Sequence, residues 1–187
     1  MDCCSWQKSE IGLLATVLVT SLLVGPSLLA QAVGTSSASA TMVTPISISA
    51  DTQLKFGNVM QGVPVKVNRT ATGSDTSAAV FTISGEDGAG ISVQFILPEY
   101  LYTATGAHMP IIFSSSDCTI DSLAGTPDTP GGGAWVGVNP YSLPTANIGA
   151  TNGNTKVYLG GKVIPSVQQG AGSYSADIVI SVSYDGS

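Results

Sequence analysis

Residues 174–184 read YSADIVISVSY, and this stretch decides the fold class. Tyrosine, alanine, isoleucine and valine occupy every second position from Tyr174 to Tyr184, and mostly serine and aspartate lie between them. Successive side chains of a β-strand point to opposite faces, so the first set forms a core face and the second points largely outward. A helix would scatter the same residues around its circumference. The stretch therefore predicts a half-buried strand.

Shorter alternating stretches recur along the chain between turn residues such as glycine, proline and asparagine. They predict further strands over residues 40–48, 54–56, 63–67, 79–83, 91–97, 109–113, 135–138 and 157–163. Residues 85–90 predict a hairpin turn between two of these strands, and residues 114–133 predict a long loop. Gly160 and Gly161 predict a bulge or a close backbone approach.

Composition points to the same class and limits the partners. Of 187 residues, 43% are hydrophobic and 10% are charged, which suits short strands around a core better than helices or disorder. The expected architecture is an all-β, antiparallel β-sandwich. The net charge of −6 and the absence of a basic cluster argue against binding to nucleic acid.

The amino-terminal segment predicts export. Residues 11–30 are an uncharged, mostly apolar run, and Ala30-Gln31-Ala32 supplies the small residues of a signal-peptidase site. We therefore expect a signal peptide over residues 1–32 and one mature domain over residues 33–187. The run is also long enough to span a bilayer, so an uncleaved signal acting as a membrane anchor is the alternative.

No catalytic or cofactor-binding set emerges from the sequence. Cleavage would leave Cys118 as the sole cysteine, which we interpret as a small apolar residue, and His108 is the sole histidine. Glu86-Asp87 lies between glycines, and we interpret the pair as part of a turn. The spacing of Asp117, Asp121 and Asp128 does not match a calcium loop. We expect no enzyme activity, no metal and no cofactor.

Several motifs, taken in order, resemble the bacterial domain-of-unknown-function family 4402. The resemblance covers essentially the whole mature chain. It rests on residues 42–48 (MVTPISI), 54–59 (LKFGNV), 79–86 (AVFTISGE), 97–98 (LP), 157–161 (VYLGG), 172–175 (GSYS) and 182–184 (VSY).

This resemblance implies an exported, immunoglobulin-like or pilin-like sandwich, similar in outline to spore-coat-type and chaperone–usher pilin subunits. Gly172 and Tyr184 resemble the terminal motif that pilins present to a periplasmic chaperone, and we expect Tyr174 to take part in assembly with them. The resemblance further implies a Gram-negative bacterium and a location in the periplasm, at the cell surface or outside the cell. The expected function is that of a fimbrial or coat subunit that associates with itself or with other surface subunits.

Strand exchange would give such a subunit its means of assembly. Residues 33–48 are the candidate donor, because Ala40, Met42, Ile46 and Ile48 share one parity. The same segment could instead be the first strand of its own sandwich, and both interpretations stay open. A separate alternative is a carbohydrate- or ligand-binding module, with Tyr100, Tyr102, Trp135 and Tyr141 as candidate stacking residues.

Overall fold

The computed structural model describes residues 35–123 and 135–186, and every regular element within them is a β-strand. The predicted signal peptide and Asp128 lie outside these residues. The strands are β1 Ser47–Thr52, β2 Lys55–Phe56, β3 Val65–Val67, β4 Thr76–Ser77, β5 Ala79–Ser84, β6 Gly90–Ile96, β7 Tyr100–Tyr102, β8 His108–Ile112, β9 Cys118–Asp121, β10 Trp135–Val138, β11 Ala146–Asn147, β12 Asn154–Leu159, β13 Gly161–Val163 and β14 Val179–Tyr184.

The contacts within the chain define two units, Met1–Ala40 and Thr41–Ser187. Of the first unit the structure describes residues 35–40, which are exposed and have no regular secondary structure. All the strands belong to the second unit. Within the described residues, no helix is long and apolar enough to cross a membrane.

Antiparallel pairing organises the strands into several sheets. A five-stranded sheet has the order β1-β5-β12-β9-β10, a three-stranded sheet β11-β6-β14, and a four-stranded sheet β3-β13-β8-β7, while β2 pairs with β4. The all-β, antiparallel class predicted from the sequence is confirmed, and the layered sheets are consistent with a β-sandwich.

One apolar core joins these sheets. The rings of Phe81 in β5 and Phe95 in β6 lie 5.7 Å apart, which connects the five-stranded sheet to the three-stranded one. Their tilted geometry is one that aromatic pairs favour. The buried members of the core are Ala79, Phe81, Ile83, Ile91, Val93, Met109, Ile111, Phe113, Cys118, Ile120, Ala146, Ile148, Val157, Leu159 and Val163.

The alternation over residues 174–184 is confirmed, but the paired strand is shorter than predicted. Even-numbered residues from Tyr174 to Tyr184 are half-buried and odd-numbered ones are exposed. The continuous ladder of β14 to β6 begins at Val179. Before it, Ser175 makes an isolated bridge to Tyr102. The alternation in the sequence therefore predicted which side chains of residues 174–184 point inward, but it did not predict where backbone pairing with β6 begins.

The predicted hairpin at residues 85–90 is wrong. The strand before this connection, β5, pairs with β1 and β12, whereas the strand after it, β6, pairs with β11 and β14. The connection therefore passes from one sheet to another. Alternation identifies a face to be buried, but it carries no information about which strand becomes the neighbour.

The predicted loop over residues 114–133 is also wrong in part, because it contains β9. All four residues of β9 are buried, and the strand lies between β12 and β10. Its sequence, CTID, places the polar side chains of Thr119 and Asp121 inside the protein. Because these residues are polar, the sequence indicated a loop where the structure has a central strand. Residues 124–134 lie outside the described part.

The first predicted strand begins later than expected. Residues 40–46 have no regular secondary structure, and β1 starts at Ser47. Pro45 has no N–H to donate to a ladder, and it restricts the residue before it. Thr44 instead hydrogen-bonds to Glu86. The strand predicted at residues 109–113 exists as β8, but Ile112 is 47% exposed, so only its other face is buried.

The close backbone approach predicted at Gly160 is confirmed. Gly160 separates β12 from β13, where the chain passes from one sheet to the next. A Cβ atom placed on Gly160 would lie 2.5 Å from the carbonyl oxygen of Val67 and 2.7 Å from the backbone nitrogen of Arg69. Both atoms belong to the backbone, so they cannot move aside as a flexible side chain could.

We expect Gly160→Ala to destabilise the protein by about 1–3 kcal/mol, the usual cost of overpacking a tight contact. The measurement is the midpoint of urea-induced unfolding. Gly170→Ala is the matched control, because its added Cβ would meet the Tyr174 hydroxyl at an ordinary 3.7 Å. Equal midpoints for the two variants would contradict the close approach.

Candidate functional site

Strand β1 ends its sheet, and its inward face is incompletely covered. Ile48 stands opposite Ile83 on the neighbouring strand, and opposite residues share a face of the sheet. Nevertheless, Ile48 is 39% exposed while Ile83 is 0% exposed. Ala50, opposite the buried Phe81, is exposed as well. The described part of the chain therefore covers the inner surface beside β1 only partly.

Strand β14 ends the three-stranded sheet, and its inward face is also incompletely covered. Val182 stands opposite Val93, which is 3% exposed, yet Val182 itself is half-buried. Ile180 and Ile178 are half-buried in the same way. Two terminal strands thus each leave apolar side chains partly open to solvent.

A groove of about 1110 Å³ lies between the segments that continue these two strands. One wall is formed by residues from Ala50 to Val59 together with Gln61, and the other by residues from Gln169 to Ile178. The floor consists of core side chains, namely Ala79, Phe81, Leu101, Met109, Ile111 and Val163. The groove is therefore an opening into the hydrophobic core and not a surface hollow.

One end of the 174–184 segment is anchored by Tyr174. Its hydroxyl donates to the Gly170 carbonyl at 2.7 Å and accepts from the Gln169 side-chain amide at 2.7 Å. The same amide donates to the His108 carbonyl at 3.0 Å, which ties the segment to β8. Gln169 is 9% exposed, so these are buried polar contacts. They hold the groove wall in place without closing the groove.

The other end is anchored by Tyr184, Thr44 and Glu86, which we call the latch. The Tyr184 hydroxyl donates to the Thr44 carbonyl at 2.6 Å and accepts from the Glu86 N–H at 2.8 Å. The Glu86 carboxylate accepts from the Thr44 N–H at 2.9 Å and from its hydroxyl at 2.6 Å. Both hydrogen bonds favour the ionised carboxylate and lower the pKa of Glu86. The latch fixes the chain immediately before β1.

The residues predicted for assembly occupy different places. Ile46 packs against the core, Ile48 is 39% exposed on β1 outside the groove lining, and Gly172 and Tyr174 line the groove. Tyr184 belongs to the latch. Met42 is 96% exposed and Ala40 is exposed too, so neither is part of the core.

Sequence reasoning missed Gln169, Thr44 and Glu86 as anchoring residues. Their contacts join positions far apart in the chain; Tyr184 and Thr44, for example, are 140 residues apart. A local sequence pattern cannot predict such contacts. The alternation ending at Tyr184 was the only available signal, and it indicated an inward face without indicating a hydrogen bond.

Cys118 and His108, the cysteine and histidine considered above, do not have the properties of a catalytic pair. Cys118 is 0% exposed in the core, and burial raises the pKa of its thiol to about 12. His108 is exposed and contacts the ring of Tyr100. A thiol in this setting supplies almost no thiolate near neutral pH, and thiolate is the nucleophilic form.

The acidic residues considered for calcium are engaged elsewhere. Asp117 pairs with Lys66 at 3.3 Å, and Asp121 accepts a hydrogen bond from the Leu123 N–H at 2.9 Å. Among residues 35–123 and 135–186, no group of three or more histidine, cysteine, aspartate or glutamate side chains is arranged to hold a metal ion.

The candidate stacking aromatics fall into separate groups. Tyr100 and Tyr102 lie together on β7, with ring centroids 6.3 Å apart. Trp135 belongs to β10 in the five-stranded sheet, and Tyr141 contacts Phe113 at 6.5 Å. The two tyrosines of β7 thus form a cluster without Trp135 or Tyr141.

Comparison with known proteins adds no relative to this description. No family model, no curated protein and no solved structure matches the chain. The resemblance to family 4402 stays a prediction from the sequence motifs.

We expect the latch to make stability depend on pH in the acid range. The folded state holds the pKa of Glu86 below its ordinary value of 4.5, so the latch contributes fully above that value. Its contribution is lost as the pH falls through the lower folded pKa. The pKa of Asp51 is also lowered, mainly by a hydrogen bond from Thr82, so acid sensitivity has a second source.

The measurement is therefore the difference in unfolding midpoint between wild type and Glu86→Gln, followed from pH 7 to pH 2. The gap should narrow below about pH 4, where the wild-type carboxyl also becomes neutral. Glu99→Gln makes the same chemical change at an exposed side chain and should follow the wild-type curve. A Glu86→Gln curve parallel to wild type throughout would contradict the latch.

We also expect Cys118 to be unreactive while the protein is folded. With a pKa of about 12 the thiolate fraction at pH 8 is about 10⁻⁴, and the sulfur is enclosed as well. In mature protein, an aromatic disulfide reagent should modify Cys118 only after urea is added. A Thr105→Cys variant should show one additional, rapidly reacting thiol, because residue 105 is exposed. Rapid reaction of the native wild-type protein would show that Cys118 is not in the core.

Proposed function

We propose that this chain is an exported, non-catalytic surface subunit, fimbrial or coat-like, that assembles by strand complementation. A strand from a neighbouring copy would enter the groove and pair with a free sheet edge. The proposal adopts the immunoglobulin-like, pilin-like architecture that the resemblance to family 4402 implies. It also adopts export through a signal peptide over residues 1–32.

The observation that carries this proposal is the incompletely covered core beside β1 and β14. Ile48 remains 39% exposed opposite a fully buried Ile83, and a groove of about 1110 Å³ opens onto core side chains. Soluble proteins rarely leave the core open in this way without a partner to cover it. Two terminal strands also present unpaired backbone groups, which are a template for an added strand.

The proposed donor is the segment before the latch, residues 33–43. Ala38, Ala40 and Met42 share one parity, and the described part of the segment is exposed and unpaired with any strand. Fully extended, it would reach about 36 Å, enough to follow a strand as long as residues 174–184. Burying Met42 would contribute about 1.5–3 kcal/mol, and each backbone hydrogen bond about 0.5–1.5 kcal/mol.

The path of the chain favours a neighbouring copy over self-insertion. Ser47 is paired with Ser84, and Thr44 is bonded to Glu86, which lies two residues beyond that pair. The chain before β1 therefore continues past the end of β5. To enter its own groove it would have to reverse direction at Thr44 and Pro45 and break the latch.

The same groove could also bind two other kinds of partner, a periplasmic chaperone and different surface subunits. An opening of this size onto core side chains in an unassembled subunit favours aggregation, so temporary covering by a periplasmic chaperone fits the proposal. Tyr174 and Gly172, in the groove wall, and Tyr184, in the latch, would lie near such a partner. Association with different surface subunits carrying similar donors is compatible with the same geometry.

The experiment compares three forms of mature protein, residues 33–187: wild type, Met42→Asp and Ser39→Asp. Wild type should form multimers that resist detergent and appear as a ladder on a gel. Met42→Asp should reduce multimers at least tenfold, because it would place a carboxylate in the groove. Ser39→Asp has the opposite parity and should assemble like wild type.

A synthetic peptide of residues 33–46 provides an independent readout. Added to wild-type protein before assembly, it should bind the groove and shorten the multimers, while the same peptide carrying Met42→Asp should have no effect. A strictly monomeric wild-type protein that does not bind the peptide would overturn the proposal.

A further inference from the structure

The outer face of the four-stranded sheet carries an exposed group of rings. In the β7–β8 hairpin Tyr100 stands opposite Pro110, and Tyr102 stands opposite His108, so the four share one face. Tyr100 and Tyr102 are 36% and 51% exposed. The His108 ring centroid lies 5.0 Å from that of Tyr100, in edge contact, and 6.2 Å from that of Tyr102. We call this group the ring face.

Two lysines lie on the same side of this sheet. Lys162 stands opposite Lys66 on one neighbouring strand and opposite Ile112 on the other. The chain has six lysine and arginine residues against twelve aspartate and glutamate residues, so two adjacent cations are a local reversal of its charge. Like charges directly opposite each other are destabilising. Asp117 pairs with Lys66 at 3.3 Å and relieves this repulsion, so a bound anion would interact chiefly with Lys162.

We propose that this face binds an acidic polysaccharide. Sugar rings would stack on Tyr100, Tyr102 and His108, and a uronate carboxylate would bind Lys162. The C–H surface of a pyranose ring suits the negative face of an aromatic ring. Lys162 supplies the charge complementarity that selects an acidic chain over a neutral one.

A peptide strand is a poorer fit to this site. Tyr102 uses both its N–H and its C=O in hydrogen bonds to Ser175, at 2.8 and 2.9 Å, so the edge of β7 is already occupied there. Recognition at this face must therefore use side chains. A neighbouring hollow of about 580 Å³ lined by His108, Pro110 and Gln168 provides room for sugar substituents and an amide to bond hydroxyls.

The ring face and the groove use opposite faces of the β7–β8 hairpin, and the neighbouring hollow shares Pro165, Gln169 and Gly170 with the groove lining. Met109 and Ile111 alternate with the outward residues of β8 and contribute to the groove floor, so the two surfaces lie on opposite sides of the same hairpin. Polysaccharide binding can therefore be tested on monomeric or assembled protein, and it does not rest on strand complementation.

The experiment is calorimetric titration of mature protein with hexamers of galacturonate, mannuronate and hyaluronan, and with the neutral hexamer of glucose. At least one acidic hexamer should bind, with an affinity that falls as salt is added. Tyr102→Ser should weaken binding at least tenfold and Lys162→Gln at least threefold. Tyr141→Ser and Lys156→Gln change an exposed tyrosine and a lysine elsewhere and should leave the affinity unchanged.

Several outcomes would overturn the proposal. These are no binding of any acidic hexamer, equal binding of the neutral hexamer, or unchanged affinity in Tyr102→Ser when its unfolding midpoint matches wild type. Loss of multimers in Tyr102→Ser without sugar binding by wild type would also overturn it, because the ring face would then be a contact between copies.

Discussion

Strands β1 and β14 lie at the ends of their sheets, and within residues 35–123 and 135–186 no strand pairs with the outer edge of either one. The consequences are visible in single residues. Ile83 is enclosed while its opposite partner Ile48 is not, and core side chains such as Met109 form the floor of an open groove. The structure holds the 174–184 segment at both ends, with Tyr174 bonded to Gln169 and the latch around Tyr184. The groove wall that contains Tyr174 is thus held by specific contacts.

Much of the fold followed from side-chain alternation, because burial of one strand face is a local property. The inward face of residues 174–184 was predicted correctly, as were the strands at residues 79–83 and 135–138. Strand partnership is a long-range property, and the supposed hairpin at residues 85–90 joins two sheets. The strand β9 was hidden because its Thr119 and Asp121 are polar yet buried.

The candidate site was harder to predict from the sequence than the fold was. Alternation identified the shared parity of Ile46 and Ile48, but Gln169, Thr44 and Glu86 act through hydrogen bonds between distant segments. Pro45 has no N–H to donate to a ladder, and in the structure it follows Thr44 of the latch just before β1 begins. Exposure of Tyr100 and Tyr102 could not be read from their alternation, because both faces of β7 carry large side chains.

The latch also has a consequence for symmetry. It holds Thr44 against Tyr184 at one end of the 174–184 segment, whereas Tyr174, at the other end of the same segment, lines the groove. A donor and an acceptor that occupy different places on one subunit make a heterologous contact, in which each copy gives at one end and receives at the other. If the chain assembles by strand complementation as proposed, repetition of such a contact would produce a polar fibre, unless the rotation between copies closes a ring.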